Sequence, residues 1–136
     1  MVFFHGYDVP YAELVRPRLI ELAEKHGFSV HKLSYSFLNQ AEMLALNQSA
    51  LNHDTHTDII TFDYTVNHML SADIYISTVS LQENASKYLV SVEHELTRLL
   101  AHGLLHCLGF NDKREEDKRQ MRLAEDQFLN CFTWNT

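Results

Sequence analysis

Two histidines, His102 and His106, lie four residues apart inside an apolar run, residues 99–108, that has the composition of a buried helix. Four residues turn an α-helix by roughly 400°, so both imidazoles leave the same face about 6 Å apart along the axis. Gly109 follows three residues after His106, and a glycine there can adopt the left-handed conformation that ends a helix. The run therefore predicts a buried helix that presents two nitrogen ligands near its carboxyl end.

Asp112 is the next strong metal ligand in the chain, and a turn at the glycine can bring its carboxylate back towards the histidines. Two imidazoles and one carboxylate leave the fourth position of a tetrahedral ion open for water, as in catalytic zinc sites. A lone histidine in an apolar helix is more often a core residue, but two at ligand spacing followed by a carboxylate favour a metal site. We therefore predict that His102, His106 and Asp112 bind one divalent cation, with zinc as the expected ion.

The segment from His102 to Asp112 resembles the signature H-G-x-L-H-L-x-G-Y-D-H of the YbeY family, bacterial metalloproteins that process ribosomal RNA. Its first eight positions agree with the signature except for Cys107, which replaces a leucine. Residues 47–62, which end in T-D-I-I-T-F, resemble the family's N-x-x-Y-R…P-T-D-V-L-S-F block. Residues 72–74 resemble its G-D-I strand, and the histidine block is the most specific part of the similarity.

The resemblance covers about residues 38 to 112 and implies a zinc-dependent endoribonuclease that cleaves single-stranded RNA in ribosomal RNA processing and ribosome maturation. It implies that His102, His106 and Asp112 are both the metal ligands and the catalytic group, with a metal-activated water attacking the phosphodiester. The implied partners are ribosomal RNA and the small ribosomal subunit.

Two departures from the family pattern bear on activity. Asp112 replaces the third histidine of the signature, which adds a negative charge to the ligand set and favours acceptance of divalent ions other than zinc. Leu51 replaces a family arginine associated with RNA cleavage, which favours a second hypothesis, a ribosome-assembly factor with a structural metal. A third hypothesis is a metallopeptidase-like hydrolase, but Gly103 stands where such enzymes carry a glutamate as general base.

Several other residues are candidates for the site. Asp58 and Asp73 lie in the blocks that resemble the family and could act as a general base, although Asp58 equally suits a turn before a strand. The polar loop 53–56 is expected to form a wall of the cleft rather than a second metal site. Arg98, one turn before the first histidine, could meet phosphate, but its spacing favours an ion pair with Glu95.

Composition excludes several classes of protein. The chain has 136 residues, 46% of them hydrophobic, enough for one domain over residues 1–136. It has no run of about 18 apolar residues and no signal sequence, so we predict a cytoplasmic protein without a membrane partner. The two cysteines form no motif, and Cys107 is expected in the core.

A formal charge of −7 argues against a general nucleic-acid binder, and no DNA partner is expected. The basic residues after Asp112 are interleaved with acidic ones, so a solvated helix face is at least as well supported as an RNA-binding patch.

Periodicity and turn signals predict an α+β fold with a mixed four-stranded sheet covered by about five helices. The resemblance implies the same fold, with one antiparallel edge strand in the sheet. Strands are expected at residues 2–5, 28–37, 58–64 and 70–77, the last two as an antiparallel hairpin. The first helix is expected within residues 14–26, with its regular part beginning near Pro17, and Asn39 with Glu42 should cap the second. Residues 79–108 should form two helices, broken around 89–91, and the second carries both metal-binding histidines. The last helix is expected at residues 114–131, and its buried stripe should comprise Met121, Ala124, Phe128, Cys131 and Phe132.

Overall fold

The computed structural model describes residues 1–51 and 58–132. Within these ranges the chain forms four strands and five helices. The strands are β1 (Val2–His5), β2 (Ser29–Leu38), β3 (Ile59–Asp63) and β4 (Met69–Ser77). The helices are α1 (Ala12–Lys25), α2 (Gln40–Leu51), α3 (Thr78–Lys87), α4 (Val92–Cys107) and α5 (Glu115–Leu129). The predicted α+β fold is confirmed.

The sheet has the order β1-β2-β4-β3 among the described strands. β1 and β4 both run parallel to β2, and β3 pairs antiparallel with β4 at the edge. This is the predicted mixed sheet with an antiparallel edge hairpin. Because parallel neighbours need a crossover, the chain passes through α1 between β1 and β2, which places a helix against the sheet.

The helix starts follow the predicted local chemistry. Asn39 Oδ1 accepts from Glu42 N–H at 2.8 Å, and Glu42 Oε1 accepts from Asn39 N–H at 2.9 Å, which is a reciprocal capping box at α2. Ser91 Oγ accepts from His94 N–H at 3.0 Å at the start of α4. The break before α4 falls at Leu89, which has a φ of 57° and is 90% exposed.

Two expectations about helix extent are wrong. Helix α1 begins at Ala12 rather than near Pro17, which lies inside it. Val15 and Leu19 on either side of Pro17 are buried, and this burial compensates for the hydrogen bond that proline cannot donate. Cys131 is exposed rather than buried, because α5 ends at Leu129 and the helical stripe does not continue beyond it.

Helix α4 forms the centre of the core. Ten of its residues are buried, and seven of these are apolar and pack with the apolar side chains of the sheet and of α1 and α5. From α5, Met121 and Phe128 are buried and Ala124 packs at the edge of the core, as does Phe132 beyond the end of the helix. None of the helices in the described part of the chain has the length and apolar character needed to cross a membrane.

Candidate metal centre

Helix α4 is held tightly against the sheet just before its two histidines. The hydroxyl of Tyr35 on β2 donates to the backbone carbonyl of Leu100 at 2.7 Å, inside the core. A Cβ atom added at Gly103 would lie only 3.0 Å from Ile74 Cδ1 of β4, so the glycine permits a close approach of helix to sheet. The backbone that carries the histidines is therefore fixed by packing.

Gly109 ends α4 as predicted. Its φ is 105°, its N–H donates to the carbonyl of His106 at 3.1 Å, and the Phe110 N–H donates to the carbonyl of Leu105 at 3.0 Å. This pair of bonds is a Schellman motif, which reverses the chain at a left-handed glycine. The reversal carries the Phe110 carbonyl to 3.1 Å from His106 Nδ1 and returns Asp112 to the histidines.

The structure brings the three predicted ligands together. His102 Nε2 and His106 Nε2 are 3.1 Å apart, and Asp112 Oδ2 lies 3.7 Å from the first and 3.5 Å from the second. One ligand atom from each residue can be chosen so that all lie within 4.8 Å of one another. The side chains are 15%, 30% and 46% exposed in the order His102, His106, Asp112, so the group opens to solvent on the aspartate side.

Hydrogen bonds behind the two rings fix which nitrogen faces the group. A carbonyl oxygen can only accept, so His106 Nδ1 carries the hydrogen shared with Phe110 and Nε2 carries a lone pair when the ring is neutral. His102 Nδ1 lies 2.5 Å from Glu125 Oε2 and donates to this carboxylate. Burial, and next the neighbouring His102, lower the pKa of His106 below its ordinary 6.5, which favours the neutral ligand form.

Three electron-pair donors thus converge with no hydrogen between them. Their lone pairs repel one another unless a positive charge lies between them. Ligands placed 2.0–2.1 Å from a tetrahedral zinc ion are separated by roughly 3.3 Å, and the three observed separations lie around this value. The donor set and its spacing therefore fit a single small divalent cation, which His102, His106 and Asp112 could hold.

Glu125 is a member of the site that the sequence analysis missed. It is buried on α5, and its second oxygen accepts from Arg98 Nη1 at 3.2 Å. Arg98 also donates to both oxygens of Glu95, at 2.9 and 2.5 Å, so the expected pairing of Arg98 with Glu95 is confirmed. Burial acts to lower the pKa of Arg98, but these two carboxylates raise it above the ordinary value. A signal was present, because a carboxylate four residues after Met121 lies in the apolar stripe of α5 and must have a partner.

Among the described residues, the other candidates are not brought to the group. Asp73 precedes Ile74, whose side chain meets α4 at Gly103, and neighbouring residues of a strand point to opposite faces, so Asp73 lies on the far face of the sheet. The backbone carbonyl of Asp58 accepts from Ser77 N–H at 3.0 Å, a cross-strand bond directly before the β3–β4 pair of Ile59 with Ile76. The loop 53–56 and the side chain of Leu51 lie outside the described residues.

Two further interpretations concern charged and thiol groups near the site. Cys107 is buried, and burial followed by the charge of Asp63 raises the pKa of its thiol to about 12, so it is a core residue as expected. Three of the basic residues beyond Asp112 form ion pairs three residues apart with acidic neighbours on the same surface, which supports the solvated helix face: Arg114 with Asp117, Lys118 with Glu115, and Arg119 with Glu116.

Fold and site together define an α+β domain in which two imidazoles at the end of a buried helix and one carboxylate from the following turn form a candidate mononuclear metal centre. The sequence profile of the family described as endoribonuclease YbeY matches residues 8–133. The chain therefore belongs to the YbeY family, and the resemblance found in the sequence is confirmed.

Individual relatives agree with this assignment. The endoribonuclease YbeY of Cytophaga hutchinsonii is 39% identical over 135 residues, which cover 95% of this chain and 94% of the relative. The endoribonuclease YbeY of Flavobacterium johnsoniae is 44% identical over 101 residues, 74% of this chain and 73% of the relative. The solution structure of a Thermotoga maritima protein shares the fold, with a TM-score of 0.69 and 22% identity, over 96% of this chain and 87% of that chain.

Proposed function

We propose that this chain is a divalent-metal-dependent endoribonuclease that hydrolyses single-stranded RNA in ribosomal RNA processing and ribosome maturation, in the cytoplasm. The observation that carries the proposal is the convergence of three electron-pair donors, two imidazole nitrogens and a carboxylate oxygen, at the spacing of one small cation. The relatives named endoribonuclease YbeY supply the reaction class. Zinc is the proposed ion, and ribosomal RNA with the small ribosomal subunit are the proposed partners.

In this proposal His102, His106 and Asp112 hold the ion, and the open side of the group at Asp112 admits the RNA backbone. A bound divalent cation lowers the pKa of a coordinated water and polarises a phosphoryl oxygen. Asp112 contributes a negative charge where a histidine would be neutral, so the loaded site carries about +1 rather than +2 and attracts phosphate less strongly. The buried residues of α4 fix the helix in the core, and the helix in turn holds both imidazoles in place.

A structural clamp is the second candidate, favoured by Leu51 in place of the family arginine. All three ligands come from α4 and the turn after it, so an ion there joins segments that are already close in sequence. Helix α4 is also buried through its own apolar side chains. An ion in this position adds little to chain closure, which favours the enzyme over the clamp.

The metallopeptidase alternative requires a glutamate beside the first histidine. The corresponding Gly103 lies against Ile74 and Ile59, with only 3.0 to 3.1 Å to their methyl groups from an added Cβ atom. A glutamate at position 103 would project into the apolar packing between α4 and the sheet rather than towards substrate. The peptidase reading therefore has no general base in this position.

Cleavage of single-stranded ribosomal RNA by the purified protein tests the proposal. We expect cleavage that is abolished by a chelator, restored by Zn²⁺ or another divalent ion, and lost in His106→Ala. Cleavage that survives both the chelator and His106→Ala would come from a contaminant and would refute the nuclease. Unfolding of the wild-type protein on chelation, without any cleavage before it, would establish the clamp instead.

A further inference from the structure

A carboxylate lies buried directly behind one of the proposed metal ligands. Glu125 follows Met121 by four residues and precedes Phe128 by three, so it shares the face of α5 that packs on the core. Its side chain is 5% exposed. A carboxylate in such a place is strongly unfavourable unless charged or hydrogen-bonding partners surround it.

The two oxygens of Glu125 have different partners. Oε2 accepts from His102 Nδ1 at 2.5 Å, and Oε1 accepts from Arg98 Nη1 at 3.2 Å. Arg98 is itself held in a two-pronged contact by Glu95, which is 1% exposed. The carboxylate plane is therefore fixed from the side away from the histidine, and the histidine ring has one acceptor at a defined position.

We propose that Glu125 is a positioning residue for the metal ligand His102. Its carboxylate fixes the ring in the form that carries hydrogen on Nδ1, so that the Nε2 lone pair faces His106 and Asp112. A negatively charged acceptor on the opposite nitrogen also makes Nε2 a stronger donor to a cation. The assignment of Glu125 to metal affinity rests on the proposed metal-dependent function, whereas its control of the ring hydrogen does not.

His106 shows why the carboxylate matters. Its Nδ1 donates to the neutral carbonyl of Phe110, which comes from the backbone turn at Gly109. His102 lies one turn earlier on α4, and its Nδ1 partner is the Glu125 side chain. The orientation of one ligand is thus set by the main chain and that of the other by a single replaceable side chain.

The substitution Glu125→Gln is expected to move the ring hydrogen of His102 from Nδ1 to Nε2. Arg98 has only donors, so the amide oxygen of glutamine must turn towards Arg98 and its NH₂ group then faces His102 Nδ1. His102 must now accept at Nδ1, and its hydrogen moves to Nε2, the atom that would bind the cation. The variant keeps the volume of the side chain and inverts the hydrogen-bond direction.

Nitrogen-15 NMR of histidine-labelled, metal-free protein at pH 8.5 measures the ring form directly, because a ring nitrogen that bears hydrogen and one that does not give different signals. The His102 signals are identified by their loss in His102→Gln. We expect hydrogen on Nδ1 in the wild-type protein and on Nε2 in Glu125→Gln. Hydrogen on Nε2 of His102 in the wild-type protein would overturn the proposal without recourse to any variant.

Zinc affinity of the same proteins, from competition with a chromophoric chelator, tests the link to the cation. We expect binding by Glu125→Gln to be about 10- to 100-fold weaker than by the wild-type protein. Asp126→Asn makes the same charge change at the next, exposed residue and should bind within about twofold of the wild-type protein. Equal affinity of Glu125→Gln and the wild-type protein would refute the positioning role. Absence of zinc binding by the wild-type protein would refute zinc as the ion of the proposed function, while the NMR result would still decide the role of Glu125.

Discussion

Replacing Tyr35 by phenylalanine tests how α4 is fixed to the sheet. The Tyr35 side chain is fully buried, and its hydroxyl donates to the Leu100 carbonyl at 2.7 Å. Leu100 lies inside α4, so its carbonyl keeps its helical hydrogen bond in the variant and is not left without a partner. The variant loses one neutral hydrogen bond, and we expect the free energy of unfolding at pH 7 to fall by about 1 kcal/mol.

The same substitution should have the opposite effect in alkali. Burial, followed by the charge of Cys107, raises the pKa of Tyr35 well above its ordinary 10.0. A raised pKa in the folded protein contributes stability that is complete below pH 10 and is lost as the pH rises, because the unfolded chain releases the proton first. Relative to the variant, the wild-type protein should lose about 1.4 kcal/mol per pH unit above 10. The two stabilities should therefore become equal roughly one pH unit above 10.

Urea unfolding followed by circular dichroism from pH 7 to 11 measures this difference. Tyr11, which is 53% exposed, provides a matched control, and Tyr11→Phe should follow the wild-type protein at every pH. A Tyr35→Phe difference that stays constant from pH 7 to 11 would show that the Tyr35 hydroxyl is not held un-ionised in the core. No difference at pH 7 would show that the hydrogen bond to α4 contributes nothing.

Three further outcomes follow from the site and its surroundings. In the native protein, Ellman's reagent should react readily with the exposed Cys131 and not with Cys107, because Cys107 is buried and its pKa is raised to about 12. Both thiols should react in denaturant, and rapid reaction of two thiols in the native protein would contradict this expectation. Gly103→Glu should lower the free energy of unfolding by at least about 3 kcal/mol, because the new side chain meets Ile74 and its buried charge gains no partner. An unchanged melting temperature would rule out the close packing of α4 on the sheet. Asp112→His should shift the pH–activity profile of RNA cleavage to lower pH, because the ion loses a negative ligand and lowers the pKa of its bound water further. An unchanged profile would refute the argument that the charge of Asp112 weakens the ion's effect on its water.

The helix that bears the histidines could be predicted because local chemistry and tertiary packing favour the same structure. The spacing of His102 and His106, the left-handed turn at Gly109 and the cap at Ser91 are all local, and the structure shows each of them. The return of Asp112 to the histidines also follows from the local turn.

The residues that contact α4 from other helices and strands could not be predicted in the same way. Glu125 lies 23 residues after His102, and only the packing of α5 on α4 brings the two together. The contribution of Tyr35 to α4 depends on a contact between residues 65 positions apart. The far-face position of Asp73 depends on which face of β4 the helix covers, and the sequence pattern did not determine that.

The count of zinc ions bound per chain tests the central claim most directly. Protein purified without added metal, stripped with chelator and titrated with Zn²⁺, should bind one ion per chain with elemental analysis as the readout. His106→Ala should bind far more weakly, because it removes one of three ligands while leaving α4 and its core packing intact. Wild-type protein that binds no more zinc than His106→Ala would contradict the account, because His102, His106 and Asp112 would then converge without holding a cation.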